Sequence, residues 1–183
     1  MSDRIRVFAY CTALARQAVA QATGTEPLTS PPVTAEGFAP DWMEGYDLLY
    51  FRLHRIPGRV GWFGEGKEGK TPLALARSQV EAANLGGAVA VVANCYGADD
   101  PMVESLYLAG ARAVIAGSGP NLAAGNRVVG TDLLVQWLIW GLWMGWSAGR
   151  ALEVARGRLL LSAWRAADRD AFKFKVIKKK EAR

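Results

Sequence analysis

Two side chains suited to covalent catalysis occupy comparable places in this chain. His54 closes the apolar run "YDLLYFRLH", and Cys95 closes the apolar run "AVAVVANC". His54 is the sole histidine, and the second cysteine, Cys11, lies far away in sequence. A thiol becomes a strong nucleophile near neutral pH when a base or an imidazolium stands beside it. If the two apolar runs are parallel neighbours, the imidazole and the thiol emerge at the same edge of a sheet. Gly97, just past the cysteine in "CYGADDP", lets the backbone bend into the next element, and the amides of such a turn can hold an oxyanion. Each residue also has a plainer reading. A free cysteine behaves as a small buried hydrophobe, and a lone histidine is commonly a polar residue with a partner.

The elements that must position the pair follow from the hydrophobic pattern. "RIRVFAY" reads as a first strand and "TALARQAVAQA" as a helix ended by Gly24. The proline-bearing "GTEPLTSPPVTAEGFAP" reads as a loop. "YDLLYFRLH" is a strand ending at His54, and "RIPGRVGWFGEGKEGKT" is glycine-rich, with a short hairpin around "RVGWF". "TPLALARSQVEAANLGG" carries helix signals: Thr71 as cap, Pro72 in the first turn and Gly86 past the end. "AVAVVANC" and "RAVIAGSG" are unbroken apolar runs, as expected of strands buried on both faces. Between them, "DDPMVESLYLAGA" is a helix with acids at its positive end. Two helices broken near residues 147–149 follow, and "AFKFKVI" alternates like an edge strand guarded by lysines. This alternation predicts one α/β domain over residues 1–183: a three-layer sandwich with a mostly parallel sheet and helices on both faces. In such sheets the site gathers at the carboxyl ends of the strands.

Other features narrow the function classes. "GEGKEGKT", Gly64 to Thr71, fits the phosphate-binding pattern G-x-x-x-x-G-K-[ST], which makes a nucleotide-binding protein a competing reading. Its context argues against that: no core strand precedes it, Pro72 places the helix start after the motif, and neither later strand ends in an acid for magnesium. The net charge is +5, but much of it sits in the tail "KFKVIKKKEAR", so no nucleic-acid partner is inferred. Two cysteines and one histidine give no zinc spacing or disulfide framework, and no metal or other cofactor is expected. "LLVQWLIWGLWMGW" is too short for a transmembrane helix, and Arg16 and Gln17 interrupt the apolar start of the chain, so a cytoplasmic protein is expected. Trp137, Trp140, Trp143 and Trp146 form a stripe along one helix. It serves either to pack that helix on the sheet or to meet a partner or membrane surface.

The succession of a strand ending in His54, a glycine-rich turn, a helix, "VVANCYG", "ESLYLAGARAVIAG" and helices carrying "GWSAGRALEVARGRL" resembles the caspase-like cysteine peptidases. It is most similar to the CHAT domains related to separases and caspases. The likeness runs from about Tyr46 to the end, and the 41 residues from His54 to Cys95 are close to the roughly 50 of caspases. The resemblance implies a caspase-like strand order and a cysteine-type endopeptidase acting on a peptide or protein substrate. It makes His54 the base and Cys95 the nucleophile. In the family a glycine directly after the histidine supplies an oxyanion-hole amide beside that of the cysteine. Here Arg55 takes that place and the nearest glycine is Gly58, so the amides of Gly58 and Cys95 are the candidates. The signature Q-A-C-[RQG]-G is met only in the Cys and the later Gly of "ANCYG". A non-catalytic interaction module on the same fold is therefore the alternative. Many members select a charged residue just before the cleaved bond. Asp99, Asp100 and Asp132 are the acids that would favour Arg or Lys there, unless they cap helices instead. Members are often joined to helical repeat domains, so a separate partner protein, or self-association through the tryptophan face, is the expected counterpart here.

Overall fold

The computed structural model describes residues 4–66, 70–121, 127–162 and 170–179. Strand β1 (Val7–Thr12) leads through a short 3-10 turn into helix α1 (Arg16–Thr23), which Gly24 stops in the left-handed conformation at φ 68°. Then follow β2 (Leu28–Ser30), β3 (Leu48–Arg52), a small hairpin of β4 (Trp62–Phe63) and β5 (Leu73–Leu75), and α2 (Arg77–Ala82). The chain continues with β6 (Val89–Val92), α3 (Met102–Leu108), β7 (Ala113–Gly117), α4 (Thr131–Trp143), α5 (Ala148–Ser162) and β8 (Phe174–Ile177). The main sheet has the order β2-β1-β3-β6-β7-β8 and is parallel except for β8, which runs antiparallel along β7 at the edge.

Successive residues of each central strand point to opposite faces, and both faces are dry. Ala9, Cys11, Leu48, Tyr50, Val89, Val91 and Ile115 meet α1, α4 and α5 on one side. Tyr10, Leu49, Phe51, Ala90, Val92 and Val114 meet α2 and α3 on the other. Burial on both sides explains why these strands read as continuous apolar runs without alternation. The expected α/β sandwich with a mostly parallel sheet is thus present, and the runs around β6 and β7 are parallel neighbours.

Three local expectations change. Residues 71–75 do not begin a helix: Leu73–Leu75 is β5, antiparallel to β4, and α2 starts only at Arg77. Tertiary contacts override the helix signal there. Ala74 and Leu75 are fully buried, and the Ala74 carbonyl accepts from the Tyr10 hydroxyl. The start signal is one turn later, where Gln79 Oε1 accepts the Ala76 N–H at 2.9 Å. The second change lies in the proline-bearing segment, where Leu28–Ser30 adds a short parallel edge strand to β1. Third, β3 stops at Arg52, and His54 instead makes a bridge to Phe63, exchanging backbone hydrogen bonds of 2.8 and 2.9 Å.

The tryptophan stripe divides between core and solvent. Trp137 and Trp146 pack partly against the core, whereas Trp140 and Trp143 are exposed. Among the described residues no helix is long and apolar enough to cross a membrane.

The central strand β1 carries two groups whose burial resists ionisation. Burial pushes the Tyr10 phenol and the Cys11 thiol each up to about 12. An unfolded chain releases the thiol proton near its ordinary value while the fold retains it. The stability is therefore fully present below that value and is lost as pH rises through the folded one. Urea midpoints should fall steadily from about pH 8.5 upward, and Cys11→Ala should flatten the first part of that fall. An unchanged slope in the variant would remove Cys11 from this account.

Candidate active site

The register of the sheet brings the two sequence-predicted residues to one edge. Phe51 of β3 is paired with Val92 of β6, and His54 and Cys95 each follow three residues beyond their member of that pair. Both line a cleft of about 220 Å³ at the carboxyl ends of the strands. Thr12, Leu14 and Ala15 enclose it from the end of β1, with Arg52, Leu53, Glu65, Ala93 and Asn121 completing the wall. His54 is exposed at the mouth and Cys95 is half-buried. The thiol's hydrogen-bonding neighbour is the main chain of Asn121, whose N–H lies 3.4 Å and whose carbonyl lies 3.9 Å from Sγ. No hydrogen bond joins Cys95 to His54 in this arrangement.

Three polar devices hold the two strand ends together. Asn94, just before Cys95, accepts the Leu53 N–H on Oδ1 at 2.7 Å, so the histidine strand end is tied to the cysteine strand end. Asn121 donates through Nδ2 to the Ala93 carbonyl and accepts on Oδ1 from the Thr131 hydroxyl at 2.7 Å, which fixes the loop after β7 against the thiol. Arg55 reaches across from the histidine side and donates to the carbonyls of Tyr96 and Asp99 at 3.2 and 3.3 Å. Its Nε lies 3.6 Å from Asp100. The turn it grips is tight. Tyr96 has φ 54°, and a Cβ on Gly97 would lie 3.0 Å from Val92 Cγ1 and 3.1 Å from the Val92 carbonyl oxygen.

Two of the three carboxylates expected to bind substrate, those of Asp132 and Asp100, are engaged within the fold. Asp132 is fully buried, ion-paired to Arg52 and hydrogen-bonded by the Tyr50 hydroxyl at 2.7 Å. Burial, the largest influence, raises its carboxyl, while Arg52 and Tyr50 pull it back. Asp100 is buried on the far side of the turn, where it accepts the Trp62 indole N–H and the Met102 backbone N–H at 3.0 Å each. Through the Met102 N–H it meets the N-terminus of α3, the place that the alternative reading allowed for it. Asp99 is exposed outside the cleft lining. Gly58 is also misplaced for an oxyanion hole. It sits at φ 77° in an exposed turn that lines no part of the cleft, because the Arg59 N–H closes that turn on the Ile56 carbonyl. The Cys95 N–H, by contrast, has no acceptor among the described residues.

The phosphate-loop pattern is spent on the hairpin. The N–H groups of Gly64, Glu65 and Gly66 donate to the carbonyls of Pro72, Ser30 and Lys70, and Thr71 leads into β5 instead of a helix. Gly69 of that pattern lies outside the described residues, as do residues 180–183 of the basic tail. The hairpin's contribution to the site is Glu65, which sequence reading passed over because the pattern around it suggested a different ligand. Arg52 was missed for a related reason: it reads as one polar residue inside an apolar run. Asn94 had a visible signal, a polar residue adjoining Cys95 just past an apolar run.

The chain matches no known protein family and no curated protein.

The burial of the Arg52–Asp132 pair sets a testable cost. Asp132→Asn leaves Arg52 buried without its counter-charge and should destabilise the fold by about 3 kcal/mol in urea titrations. The double change Arg52→Met, Asp132→Leu should cost clearly less than either single change. A single Asp132→Asn variant as stable as wild type would refute the assignment.

Proposed function

We propose that the chain is a cysteine-type endopeptidase of the caspase-like kind, with Cys95 as nucleophile and His54 as general base and acid. The observation that carries this reading is the presence of both side chains in one cleft at matching positions beyond neighbouring parallel strands. His54 takes the thiol proton, and Sγ bonds to the carbonyl carbon of a peptide. The Cys95 N–H stabilises the oxygen that becomes negative. Collapse of this intermediate breaks the C–N bond, and His54 passes its proton to the departing amine. A water, deprotonated by His54, then attacks the thioester, releasing the acid and restoring the thiol. A cytoplasmic setting, which keeps Cys11 and Cys95 as free thiols, fits this chemistry.

A second reading, a non-catalytic interaction module, draws on Arg55 and Gly58. The residue after His54 is an arginine whose side chain is bound to the cysteine turn, which restrains the backbone there, and Gly58 is outside the cleft and adds no donor. A thiol-reactive peptide probe separates the two readings. On the peptidase reading Cys95 is labelled and buried Cys11 is not, and His54→Ala lowers the rate at least tenfold. Equal labelling of wild type and His54→Ala would favour the module.

Substrate charge preference moves from the three aspartates to Glu65. Arg52 is neutralised by Asp132, whereas Glu65 lines the cleft with no ion pair among the described residues. A basic side chain next to the cleaved bond would be held by this carboxylate. In a fluorogenic panel varying only that residue, Arg and Lys should exceed Asp, and Glu65→Gln should narrow the ratio by roughly tenfold. Faster cleavage after Asp, or an unchanged ratio in Glu65→Gln, would reject Glu65 as the selector.

A further inference from the structure

The turn between α4 and α5 exposes more apolar surface than any packing role requires. Trp143 and Met144 are 47 % and 49 % exposed, and Trp140 behind them is 38 % exposed. Trp146 packs edge-on against Trp140 at 5.2 Å between ring centres, which joins them in one cluster. Beside it lies an open groove of about 360 Å³ between α4 and the end of α1, walled by Ile5, Ile139, Trp140 and Trp143 and reached by Arg4.

Cations surround the aromatic cluster. Arg150 stacks on Trp146 at 4.9 Å and Arg158 on Trp137 at 5.0 Å, and neither they nor Arg4 make an ion pair among the described residues. The acids of α4 and α5 are Asp132, buried beneath the cleft, and Glu153, exposed on α5 and unpaired with either arginine. A second copy of the chain docked face to face would oppose arginine with arginine. A surface of negative charge over an apolar layer matches both features. Tryptophan rings settle at the headgroup level of a bilayer, and arginines gain from anionic lipid.

We propose that the α4–α5 turn is a peripheral docking site for an anionic membrane surface. Trp143 and Met144 enter the headgroup region, and Arg4, Arg150 and Arg158 meet lipid phosphates and carboxylates. The contact is peripheral, since no described helix is long and apolar enough to cross the bilayer. It is independent of the peptidase reading.

The test is co-sedimentation of the full chain with phosphatidylcholine vesicles, with and without phosphatidylserine, read together with tryptophan emission. Wild type should bind the phosphatidylserine vesicles about a hundredfold more tightly than neutral ones, with a blue shift, as expected for three cations at an anionic surface. Trp143→Ser with Met144→Ser should abolish the shift, and Arg150→Glu with Arg158→Glu should remove most of the preference for anionic lipid. These changes lie at exposed positions, and circular dichroism confirms the fold of each variant. Absence of binding to anionic vesicles would overturn the proposal. So would binding that both variants retain, which would assign it to lysines elsewhere. Self-association of wild type without vesicles, lost in Trp143→Ser with Met144→Ser, would also overturn it and make the face a protein interface.

Discussion

A guanidinium in the dry interior must be answered by a carboxylate, and that requirement organises the edge of this sheet. Arg52 is 6 % exposed at the end of β3, and its partner Asp132 on α4 is fully buried. Moving either charge out of water alone would cost several kcal/mol. Helix α4 must therefore begin over the end of β3, and the Tyr50 hydroxyl adds a further hydrogen bond to the same carboxylate. Arg52 also forms part of the cleft wall. The ion pair thus fixes the floor of the candidate site and contributes no net charge to it. That cancellation gives a peripheral acid such as Glu65 influence over what enters.

With the floor fixed, the two strand ends still need a common alignment, because the segments beyond His54 and Cys95 are loops. Asn94 supplies it from the cysteine side and Arg55 from the histidine side. Arg55 stands where the resemblance has a glycine; it keeps the backbone N–H of that position and adds a side chain that grips the opposite loop. The side chain couples the two loops mechanically, while the N–H groups of Cys95 and Arg55 both have no acceptor among the described residues. Electrostatic stabilisation of a developing oxyanion depends on how many preorganised donors face it. A peptidase and an interaction module would thus differ in whether the Arg55 backbone, held by its own side chain, can turn its N–H toward that oxygen.

Most of the sheet was legible in the sequence, because a strand buried on both faces leaves an unmistakable apolar run. "AVAVVANC" and "RAVIAGSG" identified β6 and β7, and the strand-end positions of His54 and Cys95 followed. What escaped was set by contacts distant in sequence. Leu73–Leu75 carries helix signals yet pairs with β4, because its burial under Tyr10 outweighs local preference. Leu28–Ser30 is too short to register between prolines, and only the open edge of β1 makes it a strand. Among the site residues, the aspartates looked available because charge suggests solvent. Their partners Arg52, Tyr50 and Trp62 lie 80, 82 and 38 residues away from them. No local pattern discloses a counter-ion at that separation.

Helix α4 links the two surfaces that matter most. Its first turn holds Asp132 beneath the cleft, and its last carries Trp143 at the exposed turn. Eleven residues of helix separate them by about 17 Å. A lipid surface that meets Trp143 and Met144 would therefore touch α4 at the end opposite the one that carries Asp132. A change at Trp143 would act on where the protein works, and a change at Asp132 on whether the site holds together.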